Sequence, residues 1–185
     1  RDSYMLTAKG FETTADKNAD VNIVVVPNAI INSFTVDKTN ITTGQTVNFN
    51  WNVSNAEQLT FNGENVDKPT GIKSETYNTV GNYTSKLEAT SLSGVKSNNT
   101  QKVNVFAPAE ITTFTVNGLE TIDVSPNDSL VFNWDVKNMV SVKLNNEDTT
   151  GNTKTLIADQ NIGTFNYQLD AFNGANDKVS KSVKV

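Results

Sequence analysis

The sequence predicts an all-β chain made of two antiparallel β-sandwiches in tandem, and three observations carry that prediction. The chain matches itself at a period of about 82 residues. Its apolar residues alternate with polar ones in short runs, as half-buried strands require. No stretch has the length and periodicity of a crossover helix, so a parallel α/β arrangement is ruled out.

The repeat is most visible where GQTVNFNWNVSNAEQLTFNGE at 44–64 aligns without a gap on NDSLVFNWDVKNMVSVKLNNE at 127–147. Phe49, Asn50, Trp51, Val53, Asn55, Asn62 and Glu64 meet Phe132, Asn133, Trp134, Val136, Asn138, Asn145 and Glu147. Upstream, SFTV at 33–36 matches TFTV at 113–116, and each copy is opened by a proline, Pro27 and Pro108. Downstream, Gly81, Leu87 and Ala89 match Gly163, Leu169 and Ala171. Small differences in offset mark insertions and deletions in loops, where they cost little. The repeat therefore predicts two full modules, 27–107 and 108–185, with the prolines as linkers.

Taken in order, residues 1–26 read as the last two strands of a preceding module, because Tyr4, Leu6 and Ala8 fall on Tyr167, Leu169 and Ala171. A lone hairpin is marginal in water, so this piece is expected to stay loose, to dock on the next module, or to complete a sandwich with strands from elsewhere. The first full module is expected to have strands near 30–36, 45–53, 57–62, 72–78, 82–91 and 95–106. The second follows at 110–116, 129–136, 140–145, 152–158, 163–172 and 177–185. Alternation points Val47, Phe49, Trp51 and Val53 inward, and likewise Leu130, Phe132, Trp134 and Val136. Phe49, Trp51, Leu87, Phe132, Trp134 and Leu169 are the expected core residues, the tryptophans filling the sandwich centre.

Cysteine and histidine are both absent. That removes disulfides, thiol nucleophiles, imidazole acid/base chemistry and the usual zinc ligands. The net charge is -5 with Lys and Arg scattered, which argues against a nucleic-acid partner. The apolar run around 23–27 is far short of the roughly 20 residues of a membrane-crossing helix. Glu57, Glu64, Asp67, Glu147 and Asp148 stand beside Asn and Gly and read as solvated turn acids. With no paired-acid pattern among them, the chain is expected not to be an enzyme and to carry no catalytic residue.

No cofactor is expected. Calcium is the only metal worth weighing, with Asn145, Glu147 and Asp148 as its oxygen donors, because hard cations take six to eight oxygens. The run lacks alternating acidic spacing, and its first-copy counterpart, Asn62 to Asn65, is poorer in acids, so turn chemistry is the better reading. Asn-x-Ser/Thr triplets at Asn40, Asn52, Asn82, Asn98 and Asn127 are what a chain so rich in Asn and Thr produces by chance. Outside the core pattern, Phe172, Tyr77 and Phe11 are the aromatic side chains on which a sugar could stack.

The succession of SFTV, ITTGQTVNFNWNVSNAEQLTFNG, YQLDAFNG and a Val-alternating strand ending at a proline resembles the bacterial immunoglobulin-like repeat modules of cell-surface and secreted proteins. The resemblance spans 27–185, with 1–26 as a partial copy. It implies tandem immunoglobulin-like antiparallel β-sandwiches, an extracellular or cell-surface location, and a spacer or stalk role of the adhesin type. Two departures stand out: the Trp-Asp-Phe-Gly-Asp-Gly turn of the polycystic-kidney-disease type of module is absent, and Ser85 takes the place of Tyr4 and Tyr167. Two other functions fit the same residues, an accessory module binding a glycan or a protein receptor, and a self-assembling subunit of an extracellular filament or layer. The expected partners are neighbouring modules of the same protein and, in the alternatives, a glycan, a protein receptor or copies of the chain itself.

Overall fold

The structure is a computed structural model that describes the backbone of residues 2–8 and 17–185 and the side chains of residues 23–185. Among the described residues all regular structure is strand. β1 (Asp2–Ala8) and β2 (Lys17–Ile23) form an antiparallel pair with Tyr4 opposite Val21. There follow β3 (Ile30–Val36), β4 (Asn40–Thr42), β5 (Thr46–Ser54), β6 (Gln58–Phe61), β7 (Glu64–Asn65), β8 (Thr70–Thr76), β9 (Gly81–Thr90) and β10 (Lys96–Phe106). The last stretch holds β11 (Glu110–Val116), β12 (Ser129–Lys137), β13 (Ser141–Leu144), β14 (Glu147–Thr149), β15 (Thr153–Ile157), β16 (Asn166–Phe172) and β17 (Lys178–Lys184).

These strands build two pairs of sheets with matching order. β3-β5-β8 and β4-β10-β9-β6-β7 come from the first repeat, β11-β12-β15 and β14-β13-β16-β17 from the second. Three short strands, β4, β7 and β14, lie outside the sequence expectation, and β16 starts at Asn166 rather than at 163. Strands of two or three residues are too short to show alternation, so only their pairing partners reveal them. β4 is found because it runs parallel to β10, with Ile41 beside Val105. The acids Glu64, Glu147 and Asp148 consequently sit on short edge strands rather than in turns. The turns themselves need only two residues, Asn62-Gly63 and Asn145-Asn146, all with positive φ, the hairpin pattern whose twist matches the strands it joins.

The chain divides into two compact units, one of Arg1–Phe34, Asn50–Ile72 and Ser85–Thr100, the other of Thr35–Phe49, Lys73–Thr84 and Gln101–Val185. In the first, the Trp51 ring stacks on Phe61 with centroids 6.3 Å apart and Phe34 meets Phe61 edge-on at 6.2 Å, so side chains of β3 and β5 close against β6. Leu59, Leu87 and Ala89 are buried there too. In the second, Phe114, Leu130, Phe132 and Trp134 from one sheet pack with Val142, Leu144, Leu169 and Val183 from the other into a single core. Val136 is only partly buried at its edge. In the same unit Ile41, Val47, Phe49, Val103 and Val105 are buried.

Candidate functional site

The residues singled out by sequence fall into two groups. Phe49, Trp51, Leu87, Phe132, Trp134 and Leu169 are all buried, and each indole N–H donates to a backbone carbonyl, Trp51 to Asp67 at 3.0 Å and Trp134 to Gly151 at 3.1 Å. The oxygen-rich run at 145–148 is a hairpin in which Asn145, Glu147 and Asp148 have protein partners. Asn145 Oδ1 accepts from the Gln168 N–H at 2.8 Å, Glu147 pairs with Lys154 at 3.1 Å and Asp148 with Lys143 at 3.4 Å. Among the described residues no three acids gather as a metal site would require. Of the aromatics considered for sugar stacking, Tyr77 packs on Tyr83 at 4.6 Å, Phe172 is half-buried in its strand, and Phe11 lies outside the described residues.

A buried polar constellation is one the sequence does not announce. Asn173 follows β16 and is fully buried at 0% exposure. Its side chain makes four hydrogen bonds, the full capacity of an amide. Nδ2 donates to Thr42 Oγ1 at 2.7 Å and to the Ala107 carbonyl at 3.0 Å, while Oδ1 accepts from the N–H groups of Ala175 at 3.0 Å and Asp177 at 2.9 Å. The 173–177 loop is thus folded by the same side chain that ties it to β4 and to the end of β10.

Asp177 completes the contact. Its Oδ2 accepts from Thr42 Oγ1 at 2.5 Å and from Gln45 Nε2 at 2.9 Å. Gln45 returns its own Oε1 to the Thr42 N–H at 3.2 Å, and the Thr43 N–H reaches the Phe106 carbonyl at 2.9 Å. Gly174 lies flat on the Phe106 ring, where a Cβ would stand 2.3 Å from the nearest ring carbon. A side chain at 174 has no room, so glycine is required by packing. Residues more than 130 positions apart are joined here around the Ala107-Pro108 step.

A second feature of the same unit is a cleft of about 210 Å³ among Val124, Ser125, Ala158, Ile162, Phe165 and Val185. Asp123 and Asp159 also line it. Burial, followed by the Asp159 charge, raises the Tyr167 hydroxyl above its ordinary pKa at the cleft wall.

No family model and no curated protein matches the sequence. Solved structures do match in shape. An I-band fragment from titin and a 3Ig structure of titin domains carrying an E-to-A mutation each superpose with a TM-score of 0.56, at 10% and 11% identity, covering 86% of this chain and 65% of theirs. The fold is immunoglobulin-like. The chain spans about two thirds of the length of those titin fragments. The fibronectin(III)-like modules of CbhA from Clostridium thermocellum match over 84% of this chain and 92% of theirs, at 16% identity and a TM-score of 0.44. The Thr42, Gln45, Asn173 and Asp177 cluster ties the 173–177 loop to residues 42–45 within one compact unit.

Proposed function

We propose that the chain is a structural spacer of an adhesin-type bacterial cell-surface or secreted protein. Two immunoglobulin-like modules, 27–107 and 108–185, are joined by a junction that resists bending. The observation that carries this reading is the buried Asn173, which ties the 173–177 loop to Thr42 and Ala107 across the linker. A spacer transmits position only if its joints are stiff, and a linker with a single proline supplies little stiffness by itself. A buried amide with all four hydrogen bonds made can, because breaking them in a low-dielectric setting is costly. The contact lies inside one compact unit, made of residues 35–49, 73–84 and 101–185. Among the described residues no helix is long and apolar enough to cross a membrane.

Backbone amide relaxation on the full chain tests the reading. Both modules should report one common tumbling time in the native protein and two distinct times in Asn173→Ala. Independent tumbling in the unaltered chain would sink it.

A further inference from the structure

Three asparagines of this chain are followed by glycine: Asn62, Asn117 and Asn173. The pair is chemically special, because glycine has no Cβ to keep its backbone nitrogen away from the asparagine Cγ. That nitrogen gives its proton to solvent base and attacks Cγ; the Cγ–Nδ2 bond breaks, ammonia leaves, and a succinimide ring is closed. Water then opens the ring at either carbonyl. The net change is asparagine and water to ammonia and an aspartate or isoaspartate. Ring closure needs the side-chain amide swung onto the backbone, so whatever holds that amide elsewhere sets the rate.

The three amides are held differently. Asn173 is buried with all four of its side-chain hydrogen bonds made. Asn62 and Asn117 are exposed, and each opens a two-residue turn, with φ of 50° and 47°. Each is clamped to another strand by the same pair of bonds. The Asn62 N–H donates to the Lys86 carbonyl and the Lys86 N–H to Asn62 Oδ1, both at 2.8 Å; Asn117 and Val131 exchange the same two bonds at 2.8 Å. The difference lies in what else holds the turn. Asn117 Nδ2 donates to the Ser129 carbonyl at 3.1 Å, whereas Asn62 Nδ2 lies 3.4 Å from Ser85 Oγ, beyond the ordinary range. After Asn117 the chain is fastened to β17: the Ile122 N–H reaches the Lys184 carbonyl at 3.1 Å, the Lys184 N–H reaches that of Glu120 at 3.0 Å, and Lys181 pairs with Glu120 at 2.7 Å. After Asn62 it runs into β7, a strand of two residues that pairs with β6 at the outer end of its sheet. Such an end opens locally at low cost.

We propose that Asn62-Gly63 is a modification site of the folded chain, at which the side-chain amide is lost through a succinimide and a carboxylate appears. Asn117-Gly118 is held back by its fastened turn and Asn173-Gly174 by burial. The consequence follows from the size of the turn. Isoaspartate routes the backbone through the side chain and adds a methylene to a turn built for two residues. Either product also places a negative charge two positions before Glu64. The hairpin is loosened, and with it the bond from the Val66 N–H to the Leu59 carbonyl at 3.1 Å, while Leu59 and Phe61 stay in the core. The change runs one way, since the ammonia is not recovered.

Peptide mass mapping of the full chain held at neutral pH, with and without guanidinium chloride, follows all three sites by the mass gain of amide to acid. Each native rate is divided by the rate of the same site in denaturant, which cancels the effect of the flanking residues. In denaturant all three sites should react. In the native chain Asn62 should react first, Asn117 roughly tenfold more slowly, about the factor one hydrogen bond supplies, and Asn173 only once the chain unfolds. Asn62→Gly suits a left-handed turn and should remove the leading acidic species seen in ion exchange. Amide hydrogen exchange at Val66 and Lys86 should be faster in the modified chain, isolated by ion exchange, than in the parent. A native Asn62 that stays intact or reacts no faster than Asn117 after normalisation overturns the proposal. So does an acidic species that persists at the same rate in Asn62→Gly, or a modified chain whose Val66 and Lys86 exchange is unchanged.

Discussion

At the scale of single residues the repeat preserves interactions rather than letters. Glu88 lies between Lys86 and Lys96, each 2.6 Å away, and its counterpart Asp170 lies between Gln168 at 2.6 Å and Lys178 at 3.3 Å, with Ser180 added at 2.6 Å. The Lys86 and Lys96 hydrogen bonds bring the Glu88 pKa down to about 2. For Asp170, burial pushes the carboxyl up, but the bonds from Ser180, Gln168 and Lys178 outweigh it and the net direction is down. A carboxyl lowered in the folded state stabilises the fold above its unfolded pKa, near 3.9, and that contribution is lost as pH falls through the folded value. Asp170→Asn should therefore lower the urea midpoint at neutral pH and flatten the decline below pH ~4, measured by urea titration across pH. Trp51 and Trp134 are buried in the core, and replacing either with Ala should cost about 3–5 kcal/mol in chemical denaturation. Gly71→Ala should also destabilise, since a Cβ there would stand 2.5 Å from the Trp51 ring.

At the scale of elements, the long strands and the hairpin turns were legible and the short edge strands were not. β5 and β12 declare themselves through Val47-Phe49-Trp51-Val53 and Leu130-Phe132-Trp134, because one face of each is dry and the other wet. β4, β7 and β14 have no such signature: their place is decided by a neighbour, as Asn40 to Thr42 is by Asn104 to Phe106. The run at 145–148 shows what composition alone leaves open. Its oxygens suit a cation, yet geometry spends Asn145 and Asn146 on a turn with φ of 50° and 67° and gives the acids to Lys143 and Lys154. Asn145→Ala should cost about 1–2 kcal/mol from the left-handed backbone alone, and Asn146→Gly should be tolerated, both by thermal unfolding.

At the scale of the whole molecule, the question is how one repeat is held to the next. Asn173→Ala strips partners from Thr42, from the Ala107 carbonyl and from two N–H groups. Each buried group left unsatisfied costs about 1–3 kcal/mol, so a lowered and broadened melting transition is expected by calorimetry. Gly174→Val should do the same through the Phe106 ring. The all-β class, the repeat, the inward faces and the absence of thiol and imidazole chemistry can all be read along the chain, because they follow from periodicity and composition, which are local properties. That Thr42 and Gln45 meet Asn173 and Asp177 is settled only when distant strands pack. Asn, Thr, Gln and Asp are common turn residues with nothing to distinguish them in one dimension; it is folding that removes water from Asn173 and makes one asparagine of many the tie between distant segments.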